Sequence, residues 1–365
     1  MTAQGPLSGV VVADFSRVLA GPYATMMLAD MGAEVIKIER PGTGDDTRSW
    51  GPPFDSDGTA TYFNSVNRNK TSRAIDLSTD EGMRDALEVV ARADVLVENF
   101  SAGTMDKLGL GYKQLRDAHP GLVYCSITGF GTAAGASLPG YDLLVQAMGG
   151  LMSVTGTEGH PVKAGVALVD IVTGLHASTG ILAALRHRDL TGHGQHVHTS
   201  LLMSTLSALS NQSSAYLGAD VTPRAMGNQH PSIAPYEVFD ASDRPIALAV
   251  GNDRQFRALA DTLGLQNTEL FSTNTDRVAH RAELQNQLGA ILRRQTADHW
   301  FTVLTEAGVP AGPVNNIAEA FEFAQSIGLD PAIGLPGTSA PSTRSPLDFS
   351  ETPVTYRSAP PALGT

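Results

Sequence analysis

Apolar positions along the chain switch repeatedly between two spacings. Val10–Ala13 is a short run with β-branched valines, a polar loop follows, apolar positions recur at helical spacing from Pro22 to Met31, and Glu34–Ile38 reads as a second strand. This is a βαβ opening. The alternation continues, with helical periodicity over Glu81–Ala93 and buried strands at Val95–Val97 and Leu122–Ile127. An α/β domain on a mainly parallel, helix-covered sheet is the predicted result.

From Tyr141 to Ser210 the spacing becomes helical, small residues line Asp170–Leu185, and a turn at TGHGQ precedes a strand at His196–Thr199. Pro235–Val250 alternates as a hairpin, YEVF and IALAV flanking ASDRP, and helical stretches continue to about Glu306. This predicts a smaller α+β domain. From Ser326 the chain is rich in proline, glycine and serine, and is expected to return to the first domain as an extended strap. The expected boundaries are residues 1–200 for the large domain, 201–224 for a linker, 225–320 for the small domain and 321–365 for the strap.

Composition narrows the partners. The 365 residues carry 25 basic against 37 acidic side chains, a net charge of −12 that opposes binding to nucleic acid or an anionic membrane. Any polyanionic ligand therefore needs a local cluster of cations. The single cysteine, Cys125, lies in an apolar run, reads as a buried hydrophobe and permits no intramolecular disulfide. The N-terminal MTAQGPLSG lacks a basic start followed by an apolar stretch, and no run of about eighteen apolar residues is apparent, so a cytoplasmic protein without a membrane partner is expected.

The opening βαβ suggests a dinucleotide site, with Glu39 where a ribose would be held, but DFSRVLAGPYAT has one glycine where that fingerprint needs three. Gly129, Gly131 and Gly135 read as a flexible loop, and His193, His196 and His198 as a solvated turn rather than a zinc site. No nucleophile elbow, H-E-x-x-H or P-loop occurs. Asp170, set among apolar and small residues, is either a helix N-cap or a catalytic carboxylate.

Several long segments, in order, carry a family resemblance: LSGVVVADFSRVLAGPYATMMLADMGAEVIKIERPGTGDDTR, FNSVNRNKTSRAIDL, ADVLVENFSAGTMDKLGLGY, PGYDLLVQAMGGLMSVTG, GVALVDIVTGLHASTGILAAL with TGHGQ, and AGVPAGPVNN. Across nearly its whole length the chain resembles the class III coenzyme A-transferases, the family that also contains the alpha-methylacyl-CoA racemases. The resemblance implies a Rossmann-like large domain built from both chain ends, a smaller α+β domain, and a homodimer of interlocked rings. It also implies a final helix in many relatives that SAPPALGT does not provide.

The resemblance makes Asp170 the covalent nucleophile and the CoA thioester a substrate, with no metal and no tightly bound cofactor. Arg40, Lys70, Arg73 and Lys107 match cations around the nucleotide, and Asn99 and Phe100 match positions that line it. The racemases carry a proton-transfer histidine where this chain has Tyr141, and a tyrosine of ordinary pKa about 10 serves that step poorly, so the transferase branch is implied. Leu19 and the segment AMGNQHPSIAP depart from formyl-CoA transferases, making oxalate an unexpected acceptor. The segment is more similar to members that use succinyl-CoA with small dicarboxylic acids. For the distal carboxylate Arg17 is the leading partner, with Arg48 and His230 behind it. The alternatives are a racemase-type isomerase and a noncatalytic acyl-CoA binding protein.

Overall fold

The computed structural model describes residues 5–365, which divide into two compact units. One comprises the chain up to Leu151, Lys163–Thr222 and Asp330–Thr365; the other comprises Met152–Val162 and Pro223–Leu329.

Six parallel strands form the sheet of the first unit: β1 (Val11–Asp14), β2 (Glu34–Glu39), β3 (Lys70–Ala74), β4 (Val95–Glu98), β5 (Val123–Thr128) and β6 (His196–Ser200). Their spatial order is β3-β2-β1-β4-β5-β6, that of a doubly wound Rossmann sheet. The central strands are buried on both faces, which is why Val12, Val95, Leu96 and Val97 read as continuous apolar runs. Strand β3 was not legible from the sequence: KTSRA has no apolar run because, at the sheet edge, much of it is exposed.

Helix α1 (Ala20–Asp30) crosses a long helix through small residues, whereas α2 (Asp80–Arg92) covers the opposite face with Ala86, Val89 and Val90. After α3 (Asp142–Met148) comes that long helix, α4 (Leu168–Thr191). Added to Gly174, a Cβ would lie 2.7 Å from the Ala20 carbonyl oxygen and 3.1 Å from the Tyr23 ring, so glycine sets how closely α1 and α4 approach. By length and a mean hydropathy of 1.6, α4 is long and apolar enough to cross a bilayer, against the expectation that no such run exists. Half of that stretch is buried inside the protein, where Ala177, Ile181 and Ala184 join the core.

Residues 201–219, expected as linker, instead form α5 (Leu201–Ala208) and α6 (Asn211–Ala219) in the first unit. Ser200 caps α5 by accepting from the Met203 N–H. The histidine segment also differs from expectation. His196 and His198 lie two apart on one strand, so they share a face; their ring centres lie 3.6 Å apart with the planes tilted by 39°, and His196 Nε2 lies 2.9 Å from Ser126 Oγ. Burial first, and then His198, push His196 down to about 4.

The proline-rich tail packs against the β3 side of the sheet. Ser358 O accepts from the Asn69 N–H, Thr365 O from the Ser72 N–H, and Arg357 donates to Ala33 O. Arg68, paired at 2.5 Å with buried Asp30, also donates to Thr343 O.

The second unit contains an antiparallel hairpin, β7 (Tyr236–Asp240) and β8 (Pro245–Ala249), extended by β9 (Ala311–Pro313). Helices α7 (Asp253–Leu263), α8 (Asn274–Ala279), α9 (Arg281–Leu292), α10 (Ala297–Glu306) and α11 (Ile317–Ser326) accompany it. Phe239, Ile246, Leu248, Phe256, Leu288 and Trp300 belong to its core.

Candidate active site

Strand order reverses direction between β1 and β4, and the carboxyl ends of these strands open a crevice there. Beyond β1, Phe15 N–H donates to Val97 O at 2.8 Å. Asn99, just beyond β4, accepts from the Arg17 N–H at 2.8 Å and donates to Arg17 O at 2.7 Å. The Arg17 guanidinium carbon lies 5.0 Å from the centre of the Phe100 ring. Together with Phe15, Ile38 and Arg40, Arg17 and Phe100 line a cavity of about 290 Å³. Apolar walls, an aromatic ring and two guanidiniums suit a flat base that carries anionic groups. Asp46 stands near both cations, 2.8 Å from Arg40 and 3.9 Å from Arg17.

Other expected cations occupy different places. Lys70 is wholly buried, donating to Asp14 at 3.1 Å, Pro22 O at 3.0 Å and Asn67 at 2.9 Å. All three ammonium protons are used, so in this conformation Lys70 is a core group and not a phosphate ligand. Burial lowers it to about 8 despite Asp14. Arg48 is likewise engaged: it grips both oxygens of Glu39, donates to Pro361 O, and lies 3.9 Å over the Phe63 ring. Its donors are directed into the fold, which removes it as a ready acceptor-binding cation. Glu39, the residue a dinucleotide ribose would need, is held by Arg48, Ser72 and the Asp45 N–H. Arg73 and Lys107 are exposed and are not part of the cavity wall.

Asp170 is the third residue of α4, within the first turn of the helix. The N-cap position belongs to Ala167, which makes no side-chain capping bond, and it is Asp142 that accepts from the Val169 N–H at 2.9 Å. Asp170 is therefore not the cap. The second Asp142 oxygen accepts from Gln146 at 2.6 Å, and Gln146 in turn accepts from the Ala164 N–H, fixing the loop that leads into α4. Burial first, and the Asp142 charge second, push Asp170 up to about 7. Ala167 and Ile171 pack in one apolar cluster with Val18, Leu19, Tyr23 and Tyr62. The β1–α1 loop thus reaches from the cavity, through Arg17, to the start of α4, through Val18 and Leu19.

Tyr141 lies 61% exposed at the N-cap of α3, directly before Asp142. His230 belongs to the second unit, where its Nδ1 accepts from the Ser232 N–H at 3.1 Å and its ring lies 5.3 Å from Tyr236. Reading the sequence did not single out Asp142 or Tyr62. Asp142 stood inside PGYDLL as a motif letter, and Tyr62 one residue before FNSVN. Burial, followed by the charges of Asp170 and Asp142, raises the Tyr62 phenol.

The family model described as CoA-transferase family III matches residues 7–365. A succinate–glutarate CoA-transferase of Agrobacterium fabrum (strain C58 / ATCC 33970) is 44% identical, covering 98% of this chain and 93% of that protein. An acetyl-CoA:oxalate CoA-transferase of Acetobacter aceti is 42% identical over 88% of this chain and 84% of its own. Among solved structures, a CAIB/BAIF family protein from Brucella suis superimposes with a TM-score of 0.90 at 43% identity, covering 99% of this chain and 97% of that one. With a Rossmann sheet, an aromatic and cationic crevice and a half-buried carboxylate at the start of α4, the chain belongs to CoA-transferase family III.

Proposed function

We propose that this CoA-transferase moves CoA from succinyl-CoA to a small dicarboxylate of glutarate size, with Asp170 as the covalent nucleophile. The observation that carries the mechanism is Asp170 itself: a partly enclosed carboxylate, raised to about 7, at the start of a helix whose cap is made by another residue. A carboxylate of raised pKa is a stronger nucleophile once ionised, and near neutral pH a large fraction is ionised.

In the first step an Asp170 oxygen attacks the thioester carbonyl and expels the CoA thiolate, giving a mixed succinyl–aspartyl anhydride. The thiolate then attacks the aspartyl carbonyl, succinate leaves, and an aspartyl-CoA thioester remains. The acceptor carboxylate attacks that carbonyl and expels thiolate to form a second anhydride. Thiolate attack on its acceptor carbonyl releases the new acyl-CoA and restores the Asp170 carboxylate. Each activated intermediate resembles the thioester it replaces in free energy, so the exchange calls for no resident cofactor or metal.

The crevice at the ends of β1, β2 and β4 holds the CoA nucleotide, its base near Phe100 and its phosphates near Arg17 and Arg40, with Arg73 and Lys107 contributing longer-range positive potential. Asn99 serves through the Arg17 peptide. In this reading Arg17 serves the nucleotide rather than the distal acceptor carboxylate, and Tyr141 stands where a proton-transfer histidine would otherwise favour isomerisation. The enzyme works in the cytoplasm as an interlocked homodimer; exposed apolar side chains on α3–α6, among them Leu143, Met148, Leu175, Met203, Tyr216 and Leu217, support the association of two chains.

The test incubates the protein with succinyl-CoA and separate glutarate, mesaconate, oxalate and acetate, and follows new acyl-CoA by mass spectrometry. Glutaryl-CoA is the expected main product. Oxalyl-CoA as the main product would overturn the acceptor reading, and transfer retained by Asp170→Ala would overturn the nucleophile.

A further inference from the structure

Beneath the β1–α1 loop lies an ion pair with no exposed surface: Lys37, from the middle of β2, meets Asp45 at 2.9 Å. Both partners also hold the loop. Lys37 Nζ donates to Ser16 O at 2.9 Å, and the two Asp45 oxygens accept from the Val18 N–H at 3.3 and 3.2 Å. Asn99 holds the intervening peptide groups of Arg17. Three consecutive residues are thus fixed through their backbone by side chains from three other segments.

What these contacts restrain is unusual. Val18 has φ +70°, the left-handed region that a β-branched residue avoids because its side chain crowds the backbone. Such a conformation persists only where the surroundings over-determine it. Val18 occupies the junction between two parts of the site, with Arg17 in the cavity wall on one side and Ala167 and Ile171, flanking Asp170, in the apolar cluster on the other. A valine relaxed to negative φ would turn its neighbour's peptide and carry Arg17 away from Phe100.

We propose that Lys37 and Asp45 are positioning residues for CoA recognition, holding Val18 in its left-handed conformation so that Arg17 faces the nucleotide crevice while Val18 packs beside the start of α4. The pair acts on the ligand only through the loop, and the assignment rests on the reading of that crevice as the CoA site. Buried charges in the middle of a sheet strand are expensive to keep, and replacing both partners together by neutral groups of similar size is tolerated far better than removing one.

Calorimetric titration of the full chain with CoA tests this. In the double variant Lys37→Met/Asp45→Asn, the charges leave together and the thermal midpoint stays within a few degrees, while the Kd for CoA rises about tenfold as the loop relaxes. Adding Val18→Gly, which adopts positive φ without a Cβ penalty, returns the Kd to within about threefold of the starting protein. An unchanged Kd, or a loss that Val18→Gly does not recover, overturns the proposal. Should the double variant fail to fold, Lys37→Gln/Asp45→Asn, which also removes both charges together but keeps a polar group at each position, is expected to weaken binding about threefold, and unchanged binding overturns the proposal equally. A starting protein that binds CoA but makes no glutaryl-CoA overturns the acceptor assignment alone.

Discussion

At the scale of single residues, the same surroundings that make Asp170 a good nucleophile burden the fold. Its carboxyl rises from an ordinary 3.8 to about 7, so between those values the native state binds more protons than the unfolded chain. Stability from this group is complete below pH 3.8 and is lost as pH climbs through about 7. Asp170→Asn removes that penalty. The variant should unfold at a higher temperature than the parent at pH 8, by a margin on the order of 1–2 kcal/mol after allowing for its partial exposure, and the gain should vanish near pH 4. Scanning calorimetry at both pH values checks this; an equal or lower midpoint at pH 8 refutes it. Asp142 supplies a separate handle, because Asn at that position keeps an oxygen for the Val169 N–H but loses the charge. In Asp142→Asn the rising limb of the pH–rate profile should therefore move to lower pH, with a lowered Tm because the new amide group replaces the oxygen that accepts from buried Gln146.

At the scale of elements, the crossing of α1 and α4 decides where Asp170 stands. Gly174 is one turn beyond it, and any Cβ there meets the Ala20 carbonyl. Gly174→Val should cost about 2–3 kcal/mol, measured as a lower urea midpoint with an unchanged slope, and should lower kcat more than the loss of folded protein explains, because it moves α4. Periodicity made α1, α2, the strands β1, β2, β4 and β5, and the β7–β8 hairpin legible to within about two residues, since each buries an apolar face at a fixed spacing. It failed for β3, whose side chains divide between the sheet edge and buried polar bonds, and for α6, whose exposed Tyr216 and Leu217 blur the spacing.

At the scale of the whole molecule, α3–α6 leave several large apolar side chains exposed, among them Leu143, Met148, Met203 and Leu217. A dimer should therefore appear in sedimentation equilibrium, and Met203→Lys with Leu217→Lys, at positions 64% and 81% exposed, should shift the mass toward a single chain without lowering helix content. A mass of one chain for the parent protein would dispose of the dimer. The tail carries a different kind of cohesion, since Arg357, Ser358 and Thr365 satisfy backbone groups along β3 and beside β2 that a bare sheet edge would leave open.

The sequence by itself determined the periodic elements, the family, and the segment containing Asp170, because burial on one face and a long ordered run of matching segments are both written in residue order. Only the tertiary structure decided that Asp142, and not Asp170, caps the start of α4, that Lys70 and Arg48 face inward, and that Lys37 and Asp45 bond to the loop in which Val18 has positive φ. Those outcomes depend on which distant groups meet. A lysine reads the same in one dimension whether it faces solvent or is enclosed by an aspartate fifty-six positions away.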